Sequence, residues 1–362
     1  MKIKYCKKCV MPNTKPNMAF TGDICQSCQF HFFKKSKKIN WKHRNLEFIK
    51  LVKKIKSKKN SAFDALVPVS GGKDSITQVH YLIKSKLRVL ALHVDNGFKT
   101  PIGEKNLNLI PQMGASLLIL KPNLKIHKKL MKIGFLNYGD PDLMSHCLLH
   151  AFPIRTAIKF NIPLVLLGEN SALEYSGDNS IDAKKMSFEW FNKYAANKGI
   201  TAKIISKKYN IPFSKLQIYE LPSKNELKKT EAVFCNYFFK WSGEKNLKIA
   251  KKYGFNVLKK NLEGTYRNYV SIDEKINRIH QYLKFLKFGY GRATDHACED
   301  IRNNKITRKQ AVKLVKKYDR VKLTSYFYKE FIDSLSIKRK DFYQILLKYK
   351  NKEIHKKITQ LR

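Results

Sequence analysis

Apolar positions fall into two kinds of pattern. Between residues 40 and 59, Leu46, Ile49, Val52 and Ile55 recur at about the helical spacing on a lysine-rich background, which predicts a connecting helix. From Phe63 onward the pattern alternates. An apolar run over 63–69 ends in a glycine turn, 75–85 is helical, and 88–94 is a second strand ending in Asp95-Asn96-Gly97. A helix over 102–113, a strand over 116–120, a helix over 143–160 and a buried strand over 162–167 follow. Strands alternating with helices predict an α/β protein built on a doubly wound parallel sheet, with ligands at the carboxyl ends of the strands. Past Leu173 the signal weakens: 181–245 is aromatic-rich (Trp190, Phe191, Phe238, Phe239, Trp241), and the remainder is mostly helical. The expected segments are 1–38, a linker helix over 39–60, a sheet domain over 61–180, an insertion over 181–245 and a helical region over 246–362.

The first segment is too short to bury an adequate core by itself, and its cysteines supply the remedy. Cys6-x-x-Cys9 and Cys25-x-x-Cys28 have the spacing of a tetrathiolate zinc ribbon, so these four are the expected ligands of a structural Zn2+. A redox pair or an iron–sulfur cluster is the rival reading. The other three cysteines, at 147, 235 and 298, are scattered, which excludes a secreted disulfide framework.

Charge changes the picture less than its size suggests. The chain of 362 residues carries 73 Lys and Arg against 28 Asp and Glu, a formal net charge of +45. Only eleven of the basic residues are arginine, and the lysines run through every segment. Nucleic-acid surfaces concentrate base and favour arginine for bidentate contacts, so nucleic acid is not the expected partner, although anionic small molecules are. No signal-like start and no apolar run long enough to span a bilayer is present, so a soluble cytoplasmic protein without membrane association is expected.

The chemistry concentrates at strand ends. Ser70-Gly71-Gly72-Lys73-Asp74-Ser75 lies directly between a strand and a helix. Its glycines allow a tight turn with close backbone approach, and the helix start offers N–H groups and a positive dipole end to phosphate. Asp74 beside phosphates makes sense as a Mg2+ ligand or as an alignment group for the loop. The spacing is not that of a Walker A motif. Asp95 and Asn96 end the second strand, where a plain Asn-Gly turn is the competing reading. His146 and His150 share a helix face with Cys147 between them, and Gly168-Glu169-Asn170 closes the late strand with Glu174 beyond it. Finally, residues 287–296 read as a loop presenting Tyr290 and Arg292, with Asp295 and His296 available for acid–base work.

The Ser70–Ser75 loop resembles the PP-loop of the ATP pyrophosphatase superfamily, a Rossmann-like fold that splits ATP into AMP and pyrophosphate. Nearly end to end, the chain resembles the N-acetyl sugar amidotransferases of bacterial surface-glycan synthesis. The opening Tyr5 to Pro12, both cysteine pairs, Ser70 to Ser75, Asp95 to Phe98, His146 to His150, Gly168 to Asn170, and Phe288 to His296 with Asp300-Ile301-Arg302 carry the likeness. That resemblance implies conversion of an acetamido group of a sugar such as pseudaminic acid to an acetamidino group, through an O-adenylyl imidate and ammonia. It implies ATP at Ser70, Gly71, Gly72, Lys73, Asp74, Ser75, Asp95, Asn96 and Gly168, with Mg2+, and catalysis by Lys73, Asp74, Asp295 and His296. The sugar is then expected at Glu169, Asn170, Tyr290, Arg292, His146 and His150. No cysteine sits in a glutaminase context, so ammonia is expected from a separate subunit resembling the glutaminase and cyclase of histidine synthesis. The alternative is a tRNA-modifying PP-loop enzyme, a thiolase or a lysidine-type ligase.

Overall fold

The computed structural model describes residues 3–36, 39–58, 61–176, 178, 180, 182–194 and 199–358. Its larger sheet contains β3 (Ala65–Pro68), β4 (Val89–Val94), β5 (Ser116–Leu120), β6 (Leu164–Leu167) and β7 (Glu231–Phe234) in the order β5-β4-β3-β6-β7. All neighbours are parallel. β4 and β6 are buried along their whole length because apolar layers cover both faces of the sheet, which explains their unbroken aliphatic runs. The chain builds from β3 toward β5 on one side and then crosses to β6 and β7 on the other. Strand order therefore reverses at β3, and the crevice outside its carboxyl end is where such sheets take ligands.

Four of these strands coincide with the sequence expectation, and the fifth does not. β7 arises within the segment read as an insertion and pairs with β6 from Leu164↔Glu231 to Leu167↔Phe234. Four residues in an aromatic neighbourhood give no period to detect. The expected helix over 102–113 is two helices, Pro101–Leu107 and Leu109–Gln112. Pro111 has no N–H for a continuous ladder. The connecting helix Trp41–Lys56 exists, but its buried face is Phe48, Leu51, Val52 and Ile55, while Leu46 and Ile49 are exposed. Its partners Phe238 and Phe239, whose rings lie 5.2 and 4.9 Å from that of Phe48, set the rotation.

Residues 287–296 are not a loop. Gly289, at φ +72, ends the helix Ile276–Phe288, and Gly291 starts the helix Arg292–Arg302. The cap comes from far along the chain. Asp319 accepts from the N–H groups of Gly291 (2.8 Å) and Ala293 (2.9 Å) and from the Thr294 hydroxyl (2.5 Å).

At the N-terminus, β1 (Phe20–Thr21) and β2 (Ile24–Cys25) form a hairpin beside the cysteine pairs and lead into the helix Gln26–Ser36. This unit shares a core with the C-terminal region: the four cysteines pack with Tyr290, Ala297, Cys298, Ile301, Ala311 and Val312. Thr14 Oγ1 donates to Phe288 O at 2.6 Å and Arg308 Nε to Cys9 O at 3.2 Å. One face of the Arg292–Arg302 helix thus rests on the cysteine unit, which leaves its opposite face for the cleft below. Among the described residues no helix is long and apolar enough to cross a membrane.

Candidate active site

The Ser70–Ser75 loop sits at the strand-order reversal, between β3 and the helix Lys73–Lys84. Ser70 N–H donates to Ser75 Oγ at 3.0 Å, and Gly72 N–H donates to Ser70 Oγ at 3.2 Å, so the two serines hold the turn open. Gly71 has φ +89, and a Cβ there would meet Gly103 O at 2.7 Å. Only glycine lets this loop lie against the Pro101–Leu107 helix. Gly72 caps the Lys73 helix without a side-chain acceptor, so the first-turn N–H groups have no capping partner from that position. Lys73 Nζ pairs with Asp74 Oδ2 at 2.6 Å, and Asn246 Nδ2 donates to Asp74 Oδ1 at 2.7 Å.

Two cavities meet at this loop. One, of about 350 Å³, is lined by Ser70, Ser75, Leu92, Val94, Leu149, His150, Pro153, Gly168, Met186 and Trp190. The other is a cleft of about 1030 Å³ with a charged lining: Lys73, Asp74, Arg267, Arg292, Asp295, His296, Glu299 and Arg302. Glu169 borders both. The wall opposite the loop is one face of the Arg292–Arg302 helix, on which positions 292, 295, 296, 299 and 302 align. Four of the eleven arginines, Arg44, Arg267, Arg292 and Arg302, line this cleft. The scarce bidentate cation is therefore concentrated here even though the abundant one is spread evenly, a contrast visible only in the folded chain and suited to a polyanionic or carboxylate ligand.

Charges within the cleft are interlocked. Arg267 bonds Glu299 Oε2 at 2.9 Å and Asp300 Oδ1 at 2.7 Å, and Tyr266 OH donates to Asp300 Oδ2 at 2.5 Å. Lys284 pairs with Asp295. Burial works against the Asp295 charge, yet Lys284, Lys15 and Arg292 hold its carboxyl below the usual range. Asp295 is thus an ion-paired carboxylate rather than the proton-transfer group expected from the sequence. Burial, reinforced by Arg292, Arg267, Lys73 and Lys284, drives His296 well below its ordinary value and keeps the ring neutral. At the cleft mouth, Lys34 from the cysteine unit bridges to Glu174 at 2.9 Å, and Asn236 Nδ2 donates to the same carboxylate at 3.1 Å.

Other expected ligands lie elsewhere. Asn170 is fully buried: its Oδ1 accepts from Ala172 N and Trp190 Nε1, both at 3.1 Å, and its Nδ2 donates to Asp182 O at 3.0 Å. It organises the strand-end loop and has no free face toward a sugar. Tyr290 is buried in the core shared with the cysteine unit, not on the cleft. His146 borders neither cavity; its ring faces His280 at 5.5 Å, and burial followed by His280 pulls it down to about 4. His150 does line the apolar cavity, with its ring against Trp190 at 5.1 Å, and Gly168 lines it too. Asp95 and Asn96 also border neither cavity: Asp95 accepts from Gly97 N–H at 2.9 Å, and Asn96 bonds Phe98 N–H and Glu274. Both side chains serve the turn in this structure. Sequence reasoning gave no site role to Asn246, Arg267, Glu299 or Arg302: Arg302 entered only through the Asp300-Ile301-Arg302 likeness, and the other three lie outside every motif quoted.

Glu274 carries a prediction of its own. Burial, and then the neighbouring Asp273, push its carboxyl from 4.5 up to about 8. The folded chain therefore holds this proton more tightly than the unfolded chain. The resulting stability is complete below the unfolded value and is lost as pH rises through about 8. Thermal melts taken across that range should show a declining midpoint that Glu274→Gln flattens; an unchanged slope in the variant would assign the decline to another group.

The four cysteines offer sulfurs that all lie within 4.8 Å of one another, and all four are buried. Backbone N–H groups of Cys9 and Cys25 point at Cys6 Sγ at 3.4 and 3.3 Å, as in a metal knuckle. The donor set fits a tetrahedral Zn2+ with no position left for catalysis. The remaining cysteines, Cys147, Cys235 and Cys298, fall in three different cores and do not converge.

Residues 263–362 match the family described as LPS biosynthesis protein WbpG-like, C-terminal domain. That span supplies the Arg292–Arg302 helix and with it the far wall of the cleft. No curated protein matches the chain. Among solved structures, NAD+ synthetase from Burkholderia pseudomallei is similar at 10% identity and a TM-score of 0.29, over 63% of this chain and 91% of that one. The overlap is too slight to carry fold or function across.

Proposed function

We propose that the chain is an ATP-consuming enzyme of surface-polysaccharide synthesis that converts an N-acetyl group of an acidic sugar to an acetamidino group, releasing AMP and pyrophosphate. The observation that carries this reading is the position of the Ser70–Ser75 loop. Ser70 and Ser75 face the smaller apolar cavity, and Lys73 and Asp74 face the charged cleft. A nucleoside in the first and a sugar in the second would meet at the phosphates. The WbpG-like match over the far wall supports the glycan assignment.

An amide is a poor electrophile because its oxygen leaves badly. Attack of that oxygen on the α-phosphorus of ATP forms the O-adenylyl imidate and expels pyrophosphate. Ammonia then adds to the imidate carbon, AMP departs with the oxygen, and the amidine remains. Loop N–H groups and Lys73 stabilise the departing pyrophosphate. Asp74, half exposed at the cleft, is the carboxylate placed to hold a Mg2+, which would neutralise phosphate charge. Arg267, Arg292 and Arg302 suit the carboxylate or phosphate of the acceptor. All seven cysteines are buried, so none is presented as an amidase nucleophile, and ammonia would come from a separate glutaminase subunit.

The test is AMP and pyrophosphate release from MgATP and ammonium, comparing acidic N-acetyl sugars with bulk tRNA, followed by mass spectrometry of the product. Sugar-dependent AMP with NH in place of oxygen supports the proposal. AMP formed only with tRNA would transfer the chain to the tRNA-modifying enzymes. Cys147, Cys235 and Cys298 are dispersed over three cores, so a cluster-dependent thiolase would have to draw on the four N-terminal cysteines, and metal and iron analysis of the purified chain separates the two readings.

A further inference from the structure

His296 is the most deeply buried polar ring on the cleft, at 4% exposure, and its Nδ1 lies 2.7 Å from Thr265 Oγ1. Thr265 is itself 2% exposed. Its oxygen accepts from the Arg267 N–H at 3.2 Å. The proton of a buried hydroxyl needs an acceptor of its own, and leaving it without one is costly. Among the described residues, the acceptor the structure gives that hydroxyl is His296 Nδ1. The reverse arrangement, Nδ1–H donating to Thr265, would give the oxygen two donors and leave its own proton unbonded. Nδ1 must then be the bare nitrogen, and a neutral ring carries its proton on Nε2.

We propose that Thr265 is a positioning residue that fixes His296 as the neutral Nε2–H tautomer, so that the cleft receives a hydrogen-bond donor from this ring and not a base. The inference rests on the cleft being the substrate site. It deepens that reading by stating what His296 must face: an acceptor oxygen of a phosphate, carboxylate or amide. The surroundings agree from every side. Arg292 on the same helix, Lys284 on the preceding helix, Lys73 on the loop helix and Arg267 in the irregular segment after Thr265 all place positive charge toward the ring. Glu299 of the same helix is spent on Arg267, and Asp295 on Lys284. A proton taken up by His296 would enter a cationic wall, whereas a fixed N–H adds one more donor to it. The acid–base role expected of this residue is thereby replaced by oxyanion recognition.

The tautomer can be read without turnover. In the full chain labelled with 15N in its histidine rings, long-range proton–nitrogen spectra identify His296 by the signals lost in His296→Gln. We expect a bare Nδ1 and a protonated Nε2, unchanged between about pH 6 and 8, where an ordinary histidine titrates. An Nδ1–H signal, or an imidazolium anywhere in that window, overturns the proposal even if sugar amidination is confirmed. Correct tautomer with no sugar-dependent AMP would instead sink the proposed reaction and leave this assignment standing. Thr265→Val should release the ring to the other tautomer or to protonation, lower kcat/KM by roughly tenfold and introduce a pH dependence absent from the native enzyme. Thr265→Ser should restore both spectrum and rate. If Thr265→Val leaves the spectrum unchanged, Thr265 is not the group that sets the tautomer. Should that variant fail to fold, the native spectrum and Thr265→Ser still decide.

Discussion

Asp74→Asn should lower the ATP-dependent turnover by about 10²–10³-fold while leaving the fold intact. The substitution is isosteric, so the carbonyl oxygen can still accept from Asn246 Nδ2, which now sits 2.7 Å from Oδ1. What disappears is the negative charge. Lys73, 2.6 Å away and almost wholly buried, would lose its counter-ion, and a Mg2+ bridging to the phosphates would lose its protein carboxylate. Some stability should be lost as well, because the buried Lys73 charge is left without this partner, so turnover is compared at a temperature well below both melting midpoints. The measurement is AMP release against Mg2+ concentration for both proteins, beside their melting curves. A variant that is fully folded at the assay temperature and needs far more Mg2+ for residual turnover fits the assignment. Undiminished turnover at the same Mg2+ concentration would remove Asp74 from the metal and phosphate site.

The parts of the site that were legible share a property: each is specified by residues close together in sequence. The phosphate loop needs glycines between a strand and a helix, and the cysteine unit needs two short pairs, so both can be recognised locally. The far wall cannot. Phe288 to His296 looked like a loop because Gly289 and Gly291 break the pattern, and the group that turns Arg292 onward into a helix is Asp319. Arg267 would have been assigned to a nondescript segment, since its partners Glu299 and Asp300 are more than thirty residues away. Asn96 and Asn170 erred in the opposite direction. A polar residue at a strand end serves a ligand or the turn equally well, and here Glu274 in one case and Trp190 in the other claim the side chain. β7 escaped because a strand of four residues has no measurable period.

Loss of a Zn2+ that the four thiolates would hold should have the largest structural effect, and its consequences should divide between the two cavities. Structural zinc binds zinc-finger peptides with about 10–16 kcal/mol of apparent free energy, which rivals the whole stability of an ordinary domain, about 5–15 kcal/mol. The hairpin and its knuckles cannot replace that from their own apolar surface. Cys6, Cys9, Cys25 and Cys28 share their core with Tyr290, Ala297, Cys298 and Ile301, so unfolding this unit uncovers the back of the helix that carries Arg292, His296, Glu299 and Arg302. Lys34, which closes on Glu174 at the mouth, would leave with it. The smaller cavity is built on β3, β4 and β6 and the helix Leu143–Lys159, with no residue from the cysteine unit. Cys25→Ser, or removal of zinc by a chelator, should therefore abolish sugar-dependent AMP release and open the N-terminal segment to proteolysis. MgATP binding, measured by calorimetry, should survive. Zinc analysis of the untreated protein should return about one ion per chain, as a four-thiolate site requires. If nucleotide binding and acceptor-dependent turnover are lost together, the cysteine unit supports the whole sheet; if neither is lost, it is an independent module and the cleft wall stands without it.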